Sequence, residues 1–244
     1  MVDAPPPAKR ARYNFKGPRQ ITYVTNRNRY NFKDTFEVLA GEQPNQQRFI
    51  VHRELFVKRS KFLEAASSSR WTCGVNKPVD LTEHEPEIFD SYMQCVYLGS
   101  VTAPELPNHA GGKALGSLVM LYLLAEKLKD VATTNLVIDE IMWASEEHHE
   151  LPCDADVTLA YTSTVAGNPL RNLCRDYYVY EAPPDELVDI HRGKFPSQFL
   201  QDVILELKRL ATEKEPGDRR RMVRYVMREK CCYHQHDDEH PRCS

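Results

Sequence analysis

Cys231, Cys232, His234, His236, His240 and Cys243 place six potential metal ligands within thirteen residues near the C-terminus. Thiolate and imidazole are the ligand types that zinc favours, and two of each satisfy a tetrahedral site. The spacing differs from that of a zinc finger. Cys232 and His234 are close for simultaneous ligation, and paired knuckles separated by a finger-sized loop are missing. Three readings stay open: a structural zinc clasp that fastens the tail, a disordered redox-sensitive tail, and adventitious metal binding. No other cofactor is expected.

Catalytic spacing is absent elsewhere. The sequence holds no Gly-rich phosphate loop, no G-x-S-x-G elbow and no H-E-x-x-H pair. Cys73, Cys95, Cys153 and Cys174 could each be matched with a histidine on paper. Cys95 and Cys174, however, fall inside apolar helical stretches, where a free cysteine serves as a small core residue. The chain is not expected to be an enzyme.

The 244 residues are 41% hydrophobic and 27% charged, the balance of an ordinary globular protein with a core of real size. No run approaches the ~18 apolar residues of a membrane span, and the N-terminus has no apolar segment of the secretory kind. Seven cysteines, odd in number and unevenly scattered, do not suggest a disulfide framework. A reducing setting, nucleus or cytoplasm, is expected.

The net charge of −3 hides an asymmetry: the first 33 residues carry eight basic side chains against the single acid Asp3. Residues 1–31 read as a disordered basic tail, with Pro5–Pro7 opposing regular structure. Lys9, Arg10 and Arg12 behind Pro7 are similar to a short nuclear localisation signal. A solvated basic arm is the plainer reading. Nucleic-acid contact, with Tyr13, Phe15 and Tyr23 stacking on bases, is a weaker one because no nucleic-acid-binding module accompanies them.

Globular patterning begins at Phe32. Phe36, Val38 and Ala40 alternate as a strand, Gly41–Gln47 turns the chain, and Phe49–Val51 returns. A short helical turn follows with Leu55 and Phe56 inward. Ser60 then caps a second helix bearing Phe62, Leu63 and Ala66 on one face, ended by Ser67–Ser69. Val79 and Leu81 make a third short strand. Pro86 opens an amphipathic helix with Ile88, Phe89, Tyr92, Met93, Val96 and Tyr97 inward, closed by Gly99.

A loop over Thr102–Gly112 precedes an apolar helix, Leu115–Leu128, and another over Thr133–Trp143. Glu146–Pro152 reads as a boundary. Helices are then expected over Val157–Ala166 and Pro169–Tyr180, the latter stopped by Pro183 and Pro184. A longer one, capped by Ser197, carries a stripe of Phe199, Leu200, Val203, Ile204, Leu207 and Leu210. A last helix starts at Asp218, with an arginine-rich outer face.

The stretch Phe49–Trp71 resembles the signature of the BTB/POZ domain in its fungal form. It has an apolar strand ending in Val51, then His52 with a basic residue, Leu55 in an apolar pair, Ser60 followed by Phe62 one place earlier than the family's S-x-x-F spacing, and the A-A-x-S-S-R-W run. The resemblance implies an α+β fold: a short three-stranded sheet flanked by a cluster of α-helices over about residues 32–145. An all-α region over 150–230 and the Cys/His-rich tail 231–244 would follow.

It also implies protein–protein interaction, with the chain itself as a homodimer partner. In dimeric members of the family an Asp and the basic residue after the His line a charged pocket near the interface. Asp34 and Arg53 match them, and a local surface salt bridge is the alternative. Many members are substrate adaptors for cullin-type ubiquitin ligases, and use an apolar residue, any residue, then Glu after the second helix. Here the site is Trp71-Thr72-Cys73. The anchor is kept and the Glu is replaced, a loss of about 1.5–3 kcal/mol for a charged hydrogen bond. A cullin scaffold with an unknown substrate protein is therefore one expectation. A nuclear scaffold or transcription-associated protein, or a nucleic-acid binder, is the alternative.

Overall fold

A computed structural model describes residues 31–67, 77–102, 113–182, 195–212, 230–238 and 240–241. Several expectations fall outside these residues: the basic cluster Lys9, Arg10 and Arg12, the Trp71/Cys73 site, Cys243, most of the 102–112 loop, Pro183 and Pro184, and the helix from Asp218.

The fold is α+β. Strand β1 (Thr35–Ala40) pairs antiparallel with β2 (Gln47–His52) and parallel with β3 (Val79–Leu81), giving the order β2-β1-β3. In β1 the alternation sends Val38 and Ala40 into the core, where Val51, Val79 and Leu81 join them. Gly41 ends β1 at φ +82°. A Cβ there would meet Pro86 Cγ at 2.8 Å, so the turn needs glycine for both its backbone and its close approach.

Helix α1 (Arg53–Arg59) follows β2 directly and α2 (Lys61–Ala66) follows at once, with Ser60 between them. The Ser60 hydroxyl accepts the Leu63 N–H at 3.0 Å, the cap read from the sequence, and donates to the Leu128 carbonyl at 2.6 Å. Helix α3 (Pro86–Leu98) has Pro86 in its first turn and stops at Gly99 in the left-handed conformation. Ile88, Phe89, Tyr92 and Val96 are buried as expected, each such apolar side chain contributing about 1.5–3 kcal/mol. Tyr97 instead lies at the surface, where its hydroxyl engages His52.

Helix α4 (Lys113–Lys127) is the centre of the molecule, with Leu118, Val119, Leu121, Tyr122, Leu124 and Ala125 all buried. Helix α5 (Val131–His148) packs along it. It is longer at both ends than the Thr133–Trp143 pattern: Asp130 caps its start through the Thr133 N–H at 2.9 Å, and it runs on to His149, which ends it in the left-handed conformation. Helix α6 (Asp154–Ser163) starts three residues before the expected Val157, since Asp156 reaches back to the Cys153 N–H at 3.0 Å and builds a capping box.

The expected helix over Pro169–Tyr180 divides. Helix α7 (Pro169–Asp176) is α-helical, and residues Tyr177–Glu181 form a π-turn closed by the Ala182 N–H to the Tyr177 carbonyl at 2.9 Å. The wider turn lets the adjacent Tyr177 and Tyr178 both be buried. Helix α8 (Ser197–Thr212) begins at Ser197 and is not capped by it. The Leu200 N–H bonds the Pro196 carbonyl, which places Ser197 already inside the first turn. Only its first half is buried: Phe199 packs on Tyr161, Tyr178 and Phe195, whereas Ile204 stays 62% exposed. A 3₁₀ turn (Lys230–Tyr233) returns the chain to α5 and α7. The buried apolar residues form one cluster, running from Val38 in the sheet to Tyr233.

Candidate interaction site

The β2–α1 junction brings the first matched pair together. The Arg53 Nε lies 3.1 Å from Asp34 Oδ1, and the Arg53 N–H donates to the Asp34 carbonyl at 2.9 Å. The same guanidinium donates to the Ser67 carbonyl at 2.8 Å and sits 5.3 Å above the Phe36 ring. Arg53 thus ties the start of the sheet to the end of α2. Both charges face solvent, so their attraction is worth under ~1 kcal/mol.

His52, next in line, is half-buried between rings. Its Nδ1 is 2.8 Å from the Tyr97 hydroxyl, and Phe32 meets it edge-on at 5.0 Å. Phe32 and Tyr97, which touch His52, are exposed, as are Ile50, two residues before it on the strand, at 65% and Leu98, next to Tyr97, at 70%. The remaining signature residues are structural. Val51 and Ser60 are buried, while Leu55 and Phe62 are half-buried against the core.

Beneath this corner lies a polar cluster that the sequence reading did not isolate. Arg59 Nε and Asp130 Oδ2 are 3.1 Å apart, with Asp130 almost wholly buried. Asp130 Oδ2 also accepts from Tyr92 at 3.1 Å and from Thr133 Oγ1 at 2.8 Å, while Arg59 donates to Thr133 Oγ1 at 2.8 Å and to the Cys95 carbonyl at 3.3 Å. Burial first, and then the Asp130 charge, drive the Tyr92 phenol well above its ordinary value. The local signal for Asp130 was its D-x-x-T spacing to Thr133, an N-cap pattern. Nothing local pointed to Arg59.

The Cys/His segment is docked as a strap. Tyr233 is buried, and its hydroxyl donates to Asp176 Oδ2 at 2.7 Å, raising the Tyr233 phenol through burial and then the carboxylate. The Gln235 N–H and carbonyl pair with the Asn135 side chain at 2.8 and 2.9 Å. Among the ligand candidates, Cys231 Sγ and His236 Nε2 face each other at 3.2 Å. His234 turns to Asp139 at 3.3 Å and His240 to Asp237 at 2.8 Å, while Cys232 is exposed. Among the described residues no three His, Cys, Asp or Glu side chains gather so as to hold a metal ion.

No helix among the described residues is long and apolar enough to cross a membrane. Compared with known proteins, the chain matches no family model and no curated protein.

Proposed function

We propose that this chain is a protein–protein interaction module of the BTB/POZ type that self-associates. The observation that carries the reading is the corner at β2, α1 and the end of α3. There, exposed Phe32 and Tyr97 contact His52, the residue before Arg53 of the Asp34–Arg53 pair, and Ile50 and Leu98 are exposed on the same strand and helix. Apolar side chains ringed by charge are the usual composition of a protein interface. The three-stranded sheet and the paired helices after β2 support the α+β fold that the Phe49–Trp71 signature implies. Sedimentation velocity over a concentration series tests it: a dimer that Phe32→Asp and Leu98→Asp convert to monomer is expected. A wild-type chain that stays monomeric throughout removes the self-association reading.

The adaptor role belongs to the same proposal and has its own test. Calorimetric titration with the N-terminal half of a BTB-binding cullin, for wild type and Cys73→Glu, is expected to show binding that the Glu strengthens about tenfold or more. Silence from both chains removes the adaptor role and leaves self-association standing.

A further inference from the structure

Strand β2 is an edge strand, with β1 on one side and no strand among the described residues on the other. Which of its backbone groups point outward follows from one bond. The Arg53 N–H donates to the Asp34 carbonyl, so Arg53 and Asp34 form a hydrogen-bonded pair. In an antiparallel ladder such pairs alternate with non-bonded ones. The register Thr35↔His52, Glu37↔Ile50 and Leu39↔Arg48 is then the non-bonded set, and Arg48, Ile50 and His52 aim their N–H and C=O groups away from β1. The His52 N–H accordingly lies 3.4 Å from the Tyr97 hydroxyl. The outward groups of Arg48 and Ile50 meet no hydrogen-bond partner among the described residues.

Beside them is a groove of about 270 Å³ between β2 and α3, lined by Gln47, Phe49, Glu87, Asp90, Gln94 and Thr102 among others. Phe49, packed edge-on against Phe89 at 5.0 Å, gives it an apolar wall. Glu87 and Asp90 are both exposed along it. Among the described residues no basic side chain lines the groove: Arg48 lies on the other face of the strand, 3.1 Å from Glu37.

We propose that the outer edge of β2 receives an extended segment of a partner polypeptide as an added strand, with basic side chains at positions i and i+2 over Asp90 and Glu87. Strand addition satisfies the outward backbone groups of Arg48 and Ile50, and the pockets beneath set the side-chain preference. The spacing agrees. Alternate strand residues project to one face roughly 6.6 Å apart, and three helical residues rise about 4.5 Å, a mismatch that long Lys and Arg stems absorb while covering Phe49. The inference rests on the interaction-module reading and gives it a partner chemistry.

The test is amide NMR on the full chain, titrated with the heptapeptide Thr-Val-Lys-Val-Arg-Val-Thr and with a control carrying Glu in place of Lys and Arg. Saturable shifts at the Arg48 and Ile50 amides are expected with the basic peptide alone, weakened tenfold or more by Glu87→Lys with Asp90→Lys. Ile50→Pro should fold, because proline is tolerated where an edge N–H faces outward, and should lose the response. Silence at these amides up to millimolar peptide, or equal responses to both peptides, overturns the proposal. So do shifts that follow protein concentration without peptide, which would assign the edge to a second copy. A chain that self-associates by sedimentation while these amides stay silent keeps the interaction-module reading and loses the groove.

Discussion

Arg59 at the end of α1 and Asp130 at the start of α5 form an ion pair beneath the sheet–helix corner, Nε to Oδ2 at 3.1 Å, across 71 residues of sequence. Every oxygen of the carboxylate is used: Thr133 N–H bonds Oδ1, while Arg59, Tyr92 and Thr133 Oγ1 converge on Oδ2. A buried pair of this kind adds little over a well-packed apolar one, yet breaking it is costly because a charge is left unpaired. Asp130→Ala should therefore destabilise by about 3–5 kcal/mol, read from the urea midpoint. In Arg59→Met with Asp130→Ala the loss should be clearly smaller than the sum of the single losses. Additive losses would show that the two side chains act independently.

Ser60 joins two helices with one hydroxyl. Ser60→Ala removes the cap on Leu63 and the bond to the Leu128 carbonyl. A loss of about 1–2 kcal/mol is expected. Ser60→Thr, which keeps the hydroxyl, should recover part of it. A substitution that leaves the thermal midpoint unchanged would sink the double role.

Glu126 gives a pH dependence with a definite sign. Burial pushes its carboxyl above the ordinary 4.5, opposed by the Lys129 charge and by the Asn168 amide, which donates to it at 2.7 Å. The folded state therefore holds this proton to higher pH than the unfolded chain does. Its contribution is whole below pH 4.5 and is lost as pH rises through the folded value. Glu126→Gln keeps the acceptor and removes the charge. Thermal midpoints of the two proteins should coincide near pH 4 and favour the Gln form at pH 7. The reverse order at pH 7 would mean that the Lys129 attraction outweighs burial.

The thiols should divide by reactivity. Cys95 and Cys174 are buried, and burial pushes each thiol up to about 12. Because the thiolate is the reacting species, both should resist iodoacetamide in the native protein and react once it is unfolded. Exposed Cys232 should be alkylated in the native state. Peptide mapping by mass spectrometry reads all three in one experiment, and rapid native labelling at Cys174 would contradict the packing of α7.

What the sequence made legible was local. Period-two alternation located β1, the apolar run Phe49–Val51 located β2, Ser60 marked a cap, and Pro86 and Gly99 bracketed α3. These features depend on neighbours within a few positions. The π-turn at Tyr177 was not legible, because α and π turns share one apolar pattern over five residues. Arg59 was not either, since its partner lies far along the chain and a lone arginine reads as surface. At the candidate site, Asp34 and Arg53 were named and do meet. The six C-terminal ligand candidates were read as one cluster. Among those described, Cys231 and His236 face each other and the His234 and His236 rings meet edge-on, while carboxylates draw His234 and His240 aside.

The docked strap has a consequence for the order in which this protein can finish folding. Gln235 bonds Tyr122 and Asn135, at sequence separations of 113 and 100 residues, and Tyr233 completes the surroundings of Asp176. On the ribosome, α4, α5 and α7 all emerge before their last partner exists. Until residue 233 is released, Asp176 has Arg175 but lacks the hydroxyl that shares its charge. A nascent chain stalled at residue 229 should then be more open to protease around α7 than the finished protein. Closure of such distant contacts is also the slow kind of step. Synthesis thus sets a checkpoint at residues 233–235, whose arrival locks helices made long before them.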